Sequence, residues 1–155
     1  MIEIPEPGRS SWVAVESPDD LVAAIHQLRQ AGLTVRHVRG GRMRTTDGVF
    51  AEFAAAFQFP TYFGHNWHAM DECLADLEWL AVDRGVAVVI SGGESVMADG
   101  DLADLVATLG YIADEWAETS EQGPGRDRPS MPVVVVVQLP PEDRTRWEAA
   151  GAAFA

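Results

Sequence analysis

Two uninterrupted apolar runs, Gly85–Ile90 and Val133–Val137, stand out along the chain. Runs of this length without polar alternation are typical of strands that are buried on both faces of a parallel sheet. The second run predicts a strand over Pro132–Gln138. Two further segments, Ser11–Val15 and Leu33–Val38, predict strands nearer the N-terminus. Between the strands, apolar residues recur every three or four positions, which predicts amphipathic helices.

Capping residues and helix-stopping residues indicate where the helices begin and end. Ser17 can cap the first helix, Pro18 suits its first position, and Gly32 is expected to stop it. The turn at Gly40–Gly41 is expected to lead into a short hairpin arm at Met43. Four further helices are predicted: Val49–Phe57 capped by Thr46 or Asp47, Asn66 to about Leu80, Asp101–Glu121, and Glu142–Ala150.

Strands that alternate with helices predict an α/β fold. We expect a small parallel sheet of three core strands and an extra N-terminal strand, with helices packed on it. The chain has 155 residues, of which 47% are hydrophobic and 23% charged, and these values suit one soluble globular domain.

Composition also narrows the setting in which the protein works. The longest apolar run is far shorter than the roughly 20 residues of a membrane-spanning helix. The first residues lack the basic segment and apolar core of a signal peptide. The single cysteine, Cys73, cannot form an internal disulfide or a cysteine-based zinc cluster. These features predict a cytoplasmic protein.

The net charge of −13 is concentrated in one part of the chain. Residues 66–121 hold 13 acidic residues and the single Arg84, a net charge of −12, while the segments on either side are close to neutral. Such a field repels nucleic acid and attracts a basic partner, and its effect weakens as salt rises. The alternative is a surface that only keeps the protein soluble.

The helix predicted from Asn66 has two contrasting faces. Its core stripe comprises Trp67, Met70, Leu74, Leu77 and Ala81. The opposite face carries His68, Glu72, Asp76 and Trp79, with His65 just ahead of the helix. Tryptophan is a common anchor of protein interfaces because it buries a large area at low entropic cost. The alternative is that Trp79 folds back onto a neighbouring element.

A metal site is a second alternative for this helix. His65, His68 and Glu72 follow an H-x2-H-x3-E spacing, but zinc usually needs a further firm ligand, and the other histidines lie on other elements. No phosphate-binding loop, dinucleotide fingerprint, nucleophile elbow or H-E-x-x-H motif is present. Cys73 falls near the core stripe and is expected to be a buried, inert thiol. The sequence therefore predicts neither catalysis nor a cofactor.

Residues 60–74 carry the motif P-x-Y-F-G-x-N-x-x-A-x-x-E-C-L. This motif resembles that of the barstar family, small cytoplasmic inhibitors of barnase-type ribonucleases. The order of strands and helices resembles the family over residues 33–139. The resemblance divides the chain into an N-terminal β-α extension over 1–32, a barstar-like domain over 33–139, and a C-terminal helix over 140–155.

In that family, the helix after the motif and the loop before it fill the ribonuclease active site, with acidic side chains in place of RNA phosphate. The resemblance implies that Tyr62 is an aromatic contact, Asn66 a loop-and-cap residue and Glu72 the dominant acidic contact. Three matched positions depart from the family: His68 replaces an acidic contact, Asp71 an aromatic contact, and Glu72 a shorter aspartate. Because an imidazole cannot mimic phosphate, the face is expected to suit another nuclease or basic toxin.

We therefore expect a barstar-like inhibitor or immunity protein of a toxin–antitoxin pair, which binds a basic ribonuclease or other nuclease toxin and neither nucleic acid nor membrane directly. The alternative is a metal-binding protein or metal-dependent enzyme that uses His65, His68 and Glu72. The expected partner-binding residues are Tyr62, Phe63, Gly64, His65, Asn66, His68, Asp71, Glu72, Asp76 and Trp79.

Overall fold

The computed structural model describes residues 2–118 and 128–155, and within them it contains four strands and five α-helices. The strands are β1 (Ser10–Val15), β2 (Thr34–Arg39), β3 (Val86–Ser91) and β4 (Val133–Gln138). The helices are α1 (Pro18–Gln30), α2 (Thr46–Ala56), α3 (Trp67–Asp76), α4 (Ala103–Ala117) and α5 (Arg144–Ala149). None of these described helices is long and apolar enough to cross a membrane.

All four strands run parallel in one sheet, in the order β1-β4-β3-β2. The two apolar runs form the central strands β3 and β4, which are buried along their length except at the last residue. Strand β1 pairs with β4 from Ser10 opposite Val133 to Val15 opposite Gln138. The predicted α/β fold class is confirmed, and the extra N-terminal strand is an edge strand of the same sheet.

Alternate residues of the central strands enter two separate hydrophobic layers. Val88 and Val135 pack in the layer that contains residues of α2, α3 and α4. Ala87 and Val134 pack in the layer that contains residues of α1. The inward positions predicted for α4 are all buried: Leu102, Leu105, Val106, Leu109, Ile112 and Trp116.

The N-terminal extension builds the second layer. The hydroxyl of Ser17 caps α1 by accepting a hydrogen bond from the N–H of Asp20, as the sequence predicts. Leu21 and Leu28 of this helix are buried against the sheet, and Gly32, with φ of +87°, follows its end. In the described residues, α1 and the N-terminal segment cover this face, which would otherwise expose the valines of the central strands to water.

The turn after β2 differs from the predicted hairpin arm. Gly40–Arg42 form one turn of 3-10 helix, and Met43 is fully buried. The carbonyl of Met43 accepts a hydrogen bond from the N–H of Met97 at 2.7 Å. A Cβ atom on Gly40 would lie 2.1 Å from the carbonyl oxygen of Gly92, so this close approach requires glycine. The hairpin prediction is wrong because Met43 is a core residue.

Three helix ends also differ from the prediction. Thr45 caps α2, rather than Thr46 or Asp47. A 3-10 turn at Pro141–Asp143 precedes α5, so the last α-helix is shorter than expected. Helix α4 is shorter at its start, and its predicted end at Glu121 lies outside the described residues.

Candidate functional site

Helix α3 begins at a cap that also fixes the preceding loop. Oδ1 of Asn66 accepts a hydrogen bond from the N–H of Ala69 at 2.8 Å, and Nδ2 donates to the carbonyl of Gly64 at 3.1 Å. One side chain therefore closes the first turn of the helix and holds the loop before it. The predicted cap is confirmed, and the loop and the helix form one unit.

The loop before α3 rests on an aromatic cluster. Phe63 is buried, with its ring centroid 6.0 Å from that of Phe50 on α2. The centroid of the His65 ring lies 5.0 Å from that of Phe63, and the His65 backbone has a φ of +46°. Tyr62 is 80% exposed. The buried ring of Phe63 therefore anchors the loop and has little surface left for a partner, whereas Tyr62 is displayed to solvent.

The outward face of α3 carries an exposed contact between a histidine and a glutamate. Nε2 of His68 lies 3.1 Å from Oε1 of Glu72, and the two side chains are 84% and 71% exposed. Asp76, one turn further along, is also exposed. Among the ion pairs of the described residues, none joins an arginine to Glu72 or Asp76. Exposed pairs add little to stability, so these carboxylates are free to meet a partner.

Helix α3 ends earlier than the apolar spacing predicts. Leu77 is buried and adopts a left-handed backbone conformation with φ of +47°, while its N–H donates to the carbonyl of Cys73. Nε1 of Trp79 then donates to the carbonyl of Phe57 at 2.8 Å. The prediction that Trp79 lies on the outward face is wrong, and the alternative that it folds back is confirmed. Ala81, predicted in the core stripe, is exposed because the chain turns at Leu77.

The outward face of α3 continues onto a polar side of α4 that was not predicted from the sequence. Tyr111 is 44% exposed, and partial loss of hydration, followed by the charges of Glu115 and Asp71, raises its pKa. Asp71 is half-buried, and no hydrogen-bond donor within the described residues reaches its buried Oδ1 atom. Asp104, Tyr111 and Glu115 recur at helical spacing, which could have shown a polar stripe. The pairing of that stripe with α3 has no sequence signal.

The arrangement does not favour a metal site. Over residues 2–118 and 128–155, no three histidine, cysteine or acidic side chains are grouped as metal ligands would be. The His65 ring faces the aromatic cluster, while His68 pairs with Glu72, so the proposed ligand set is not brought together. Cys73 is buried, and burial, followed by the charges of Asp76 and Glu72, raises the pKa of its thiol. The predicted burial of Cys73 is confirmed, and a raised pKa disfavours the reactive thiolate.

Comparison with known families gives a match over the region that holds this surface. Residues 33–136 match the family described as Barstar (barnase inhibitor). The matched range spans about two thirds of the chain, from the start of β2 through most of β4, and includes α3 and the loop before it. It does not include β1, α1 or α5. A comparison with curated proteins finds no match.

Proposed function

The chain belongs to the barstar family of barnase inhibitors, and on that basis we propose that it binds a basic ribonuclease, or a related nuclease toxin, and blocks its active site. The blocking surface is the outward face of α3 with the loop before it and the adjoining side of α4. The protein acts by binding alone, as a cytoplasmic immunity partner of the nuclease, and carries out no reaction of its own.

One observation carries the proposal: exposed carboxylates and exposed aromatic rings occur together on this surface. Three large apolar side chains are exposed in the described part of the chain: Val22, Tyr62 and Tyr111. Tyr62 lies in the loop before α3, and Tyr111 lies on α4 near Asp71 and Glu72. Tyrosine is enriched among interface anchors, and exposed carboxylates complement a cationic surface.

The charge of the surrounding segment favours a basic partner. Helices α3 and α4 both lie in residues 66–121, a segment that contains 13 acidic residues and a single arginine. A ribonuclease binds the phosphates of RNA with cationic side chains, and carboxylates can accept the same hydrogen bonds. The field of the segment also accelerates the encounter with a positively charged enzyme.

His68 narrows the choice of partner. Its imidazole lies beside Glu72, at the position where the family resemblance implies a carboxylate that would attract arginine or lysine. An imidazole cannot replace a carboxylate in binding either cation. A carboxylate or carbonyl oxygen of the partner would instead accept a hydrogen bond from the imidazole. The partner is therefore a basic nuclease that presents such an oxygen, rather than a cation, opposite His68.

Inhibition of RNA cleavage by a panel of basic ribonucleases, both barnase-type enzymes and other ribonuclease toxins, tests the proposal. We expect Glu72→Ala to weaken binding by more than about 2 kcal/mol, the usual threshold for a hot spot, and to leave the free energy of unfolding unchanged. The matched control is Glu94→Ala, which removes an exposed carboxylate from the same acidic segment in the turn after β3. Equal losses in the two variants, or no binding to any ribonuclease of the panel, would contradict the proposal.

A further inference from the structure

The last turn of α3 receives hydrogen bonds from outside the helix. A helix leaves its final four carbonyl groups without partners inside the regular helix. The carbonyl of Cys73 accepts from the N–H of Leu77 at 3.1 Å, and that of Leu74 accepts from Nε1 of Trp116 on α4 at 2.9 Å. The last two carbonyls, of Ala75 and Asp76, need another donor.

Arg128 is that donor. Its Nη1 atom lies 2.7 Å from the carbonyl oxygen of Ala75 and 3.4 Å from that of Asp76. Its guanidinium carbon lies 3.6 Å from the centre of the Trp116 ring. A guanidinium can do both because it is planar, carries several donors in a fixed fork and stacks on aromatic rings. Arg128 therefore joins the end of α3 to α4 from the segment that precedes β4.

Charge reinforces this contact. A cation at the C-terminus of a helix is favourable because the carbonyl dipoles concentrate negative charge there. Burial lowers the pKa of Arg128, and the nearby charges of Asp76 and Glu115 oppose that effect. The hydrogen bonds of the guanidinium go to the backbone of α3, so the carboxylates of the outward face stay available.

We propose that Arg128 is a positioning residue for the partner-binding surface. It holds the last turn of α3, which carries Asp76 and follows Glu72, in one orientation before the partner arrives. A surface that is already ordered loses less entropy on binding, and such effects are expressed mainly in the dissociation rate. The role in binding rests on the proposed function, whereas the ordering of the helix end can be measured on the free protein.

Amide hydrogen exchange of the free protein tests the ordering, with Arg128→Gln and Arg128→Lys compared with Arg146→Gln. The control is matched because Nη2 of Arg146 donates to the carbonyls of Gly93 and Glu94 at 3.0 and 3.4 Å, outside α3. We expect both Arg128 variants to raise exchange rates over residues 74–77 by about tenfold, as loss of a charge-assisted hydrogen bond predicts. Lysine keeps the charge but cannot stack on Trp116 and donate to two carbonyls together.

Dissociation from a barnase-type ribonuclease that binds the wild-type protein tests the positioning role. We expect both Arg128 variants to dissociate about tenfold faster with little change in the association rate. The expected loss of thermal stability is no larger than that of Arg146→Gln.

Four results of these two experiments would overturn the proposed role of Arg128 or part of it. Unchanged exchange in both Arg128 variants, or full recovery by lysine, overturns the proposal, because recovery would mean that charge alone suffices. Faster exchange with an unchanged dissociation rate overturns the positioning role and leaves a structural cap. If the wild type binds no ribonuclease, the proposed function fails and the positioning role fails with it, while the exchange rates still decide whether Arg128 orders the helix end.

Discussion

Nε2 of His68 lies 3.1 Å from Oε1 of Glu72, one turn along the exposed face of α3. An imidazole thus stands beside the carboxylate that we propose as the dominant acidic contact with the partner. A partner that binds this carboxylate therefore also meets the imidazole of His68. We propose that partner choice depends on these two side chains together.

Replacing His68 with aspartate distinguishes the two kinds of partner. Against a ribonuclease with a cationic phosphate site, His68→Asp should tighten binding by about 1 kcal/mol or more, because the new carboxylate attracts arginine or lysine. Against the native partner we expect weaker binding, because an aspartate carboxylate cannot donate the hydrogen bond that the imidazole donates. Calorimetric titration measures both affinities. His26→Asp, on α1, makes the same charge change outside α3 and is the control. Tighter binding of His68→Asp to the native partner would contradict the proposed specificity.

The salt dependence of association tests the role of the acidic segment. Residues 66–121 carry a net charge of −12. If this charge steers a basic partner, the association rate should fall markedly between low and physiological salt, while the dissociation rate changes little. Stopped-flow mixing measures both rates. An association rate that is flat over this range would exclude steering.

Trp79 should contribute to stability and not to binding. Its Nε1 atom donates to the carbonyl of Phe57, and its ring packs against the core. Trp79→Phe keeps an aromatic ring but loses the hydrogen bond, so we expect unfolding to become easier by about 1 kcal/mol. Affinity for the ribonuclease should stay within twofold of wild type, on the order of the scatter for residues outside an interface. Denaturant unfolding measures the stability, and a binding titration measures the affinity. A loss of affinity with unchanged stability would place Trp79 in the interface.

The strands and helix caps that the sequence predicts correctly are those that a single local pattern determines. The valine run of β4 can only be a doubly buried strand, and Asn66 and Ser17 cap their helices as their residue types favour. The end of α3 cannot be predicted from the sequence, because Leu77 and Ala81 continue the apolar spacing of a helix. A left-handed leucine has no sequence signal, since its conformation is fixed by burial of the side chain.

The contacts between elements are likewise absent from the sequence pattern. Met43 lies two residues after the Gly40–Gly41 turn, where the sequence predicts a hairpin arm, yet its side chain is buried in the core. Tyr111 joins the acidic surface only because α4 packs against α3. Arg128 lies far from the motif of residues 60–74, and its contact with the end of α3 depends on the stacking platform of Trp116.

His37 predicts how stability changes with pH. Partial loss of hydration and the charge of Arg39 lower the pKa of the largely exposed His37 from the ordinary value of 6.5, with Glu52 acting in the opposite sense. The folded state therefore takes up this proton less readily than the unfolded state, so stability rises as pH increases through the window just below 6.5. In urea unfolding between about pH 5 and 7, His37→Gln should reduce that slope. Equal slopes in the wild type and the variant would show that another group is responsible.

Competition with a mononucleotide in the ribonuclease active site tests whether α3 and the loop before it block that site. If α3 and its loop fill that site, a nucleotide phosphate bound there must leave before the inhibitor binds. We predict that the apparent Kd of the inhibitor rises in proportion to nucleotide concentration once the site is saturated, for the wild type and for Glu94→Ala alike. An apparent Kd that is unchanged at saturating nucleotide would mean that the protein binds elsewhere on the enzyme, and would contradict active-site blockage.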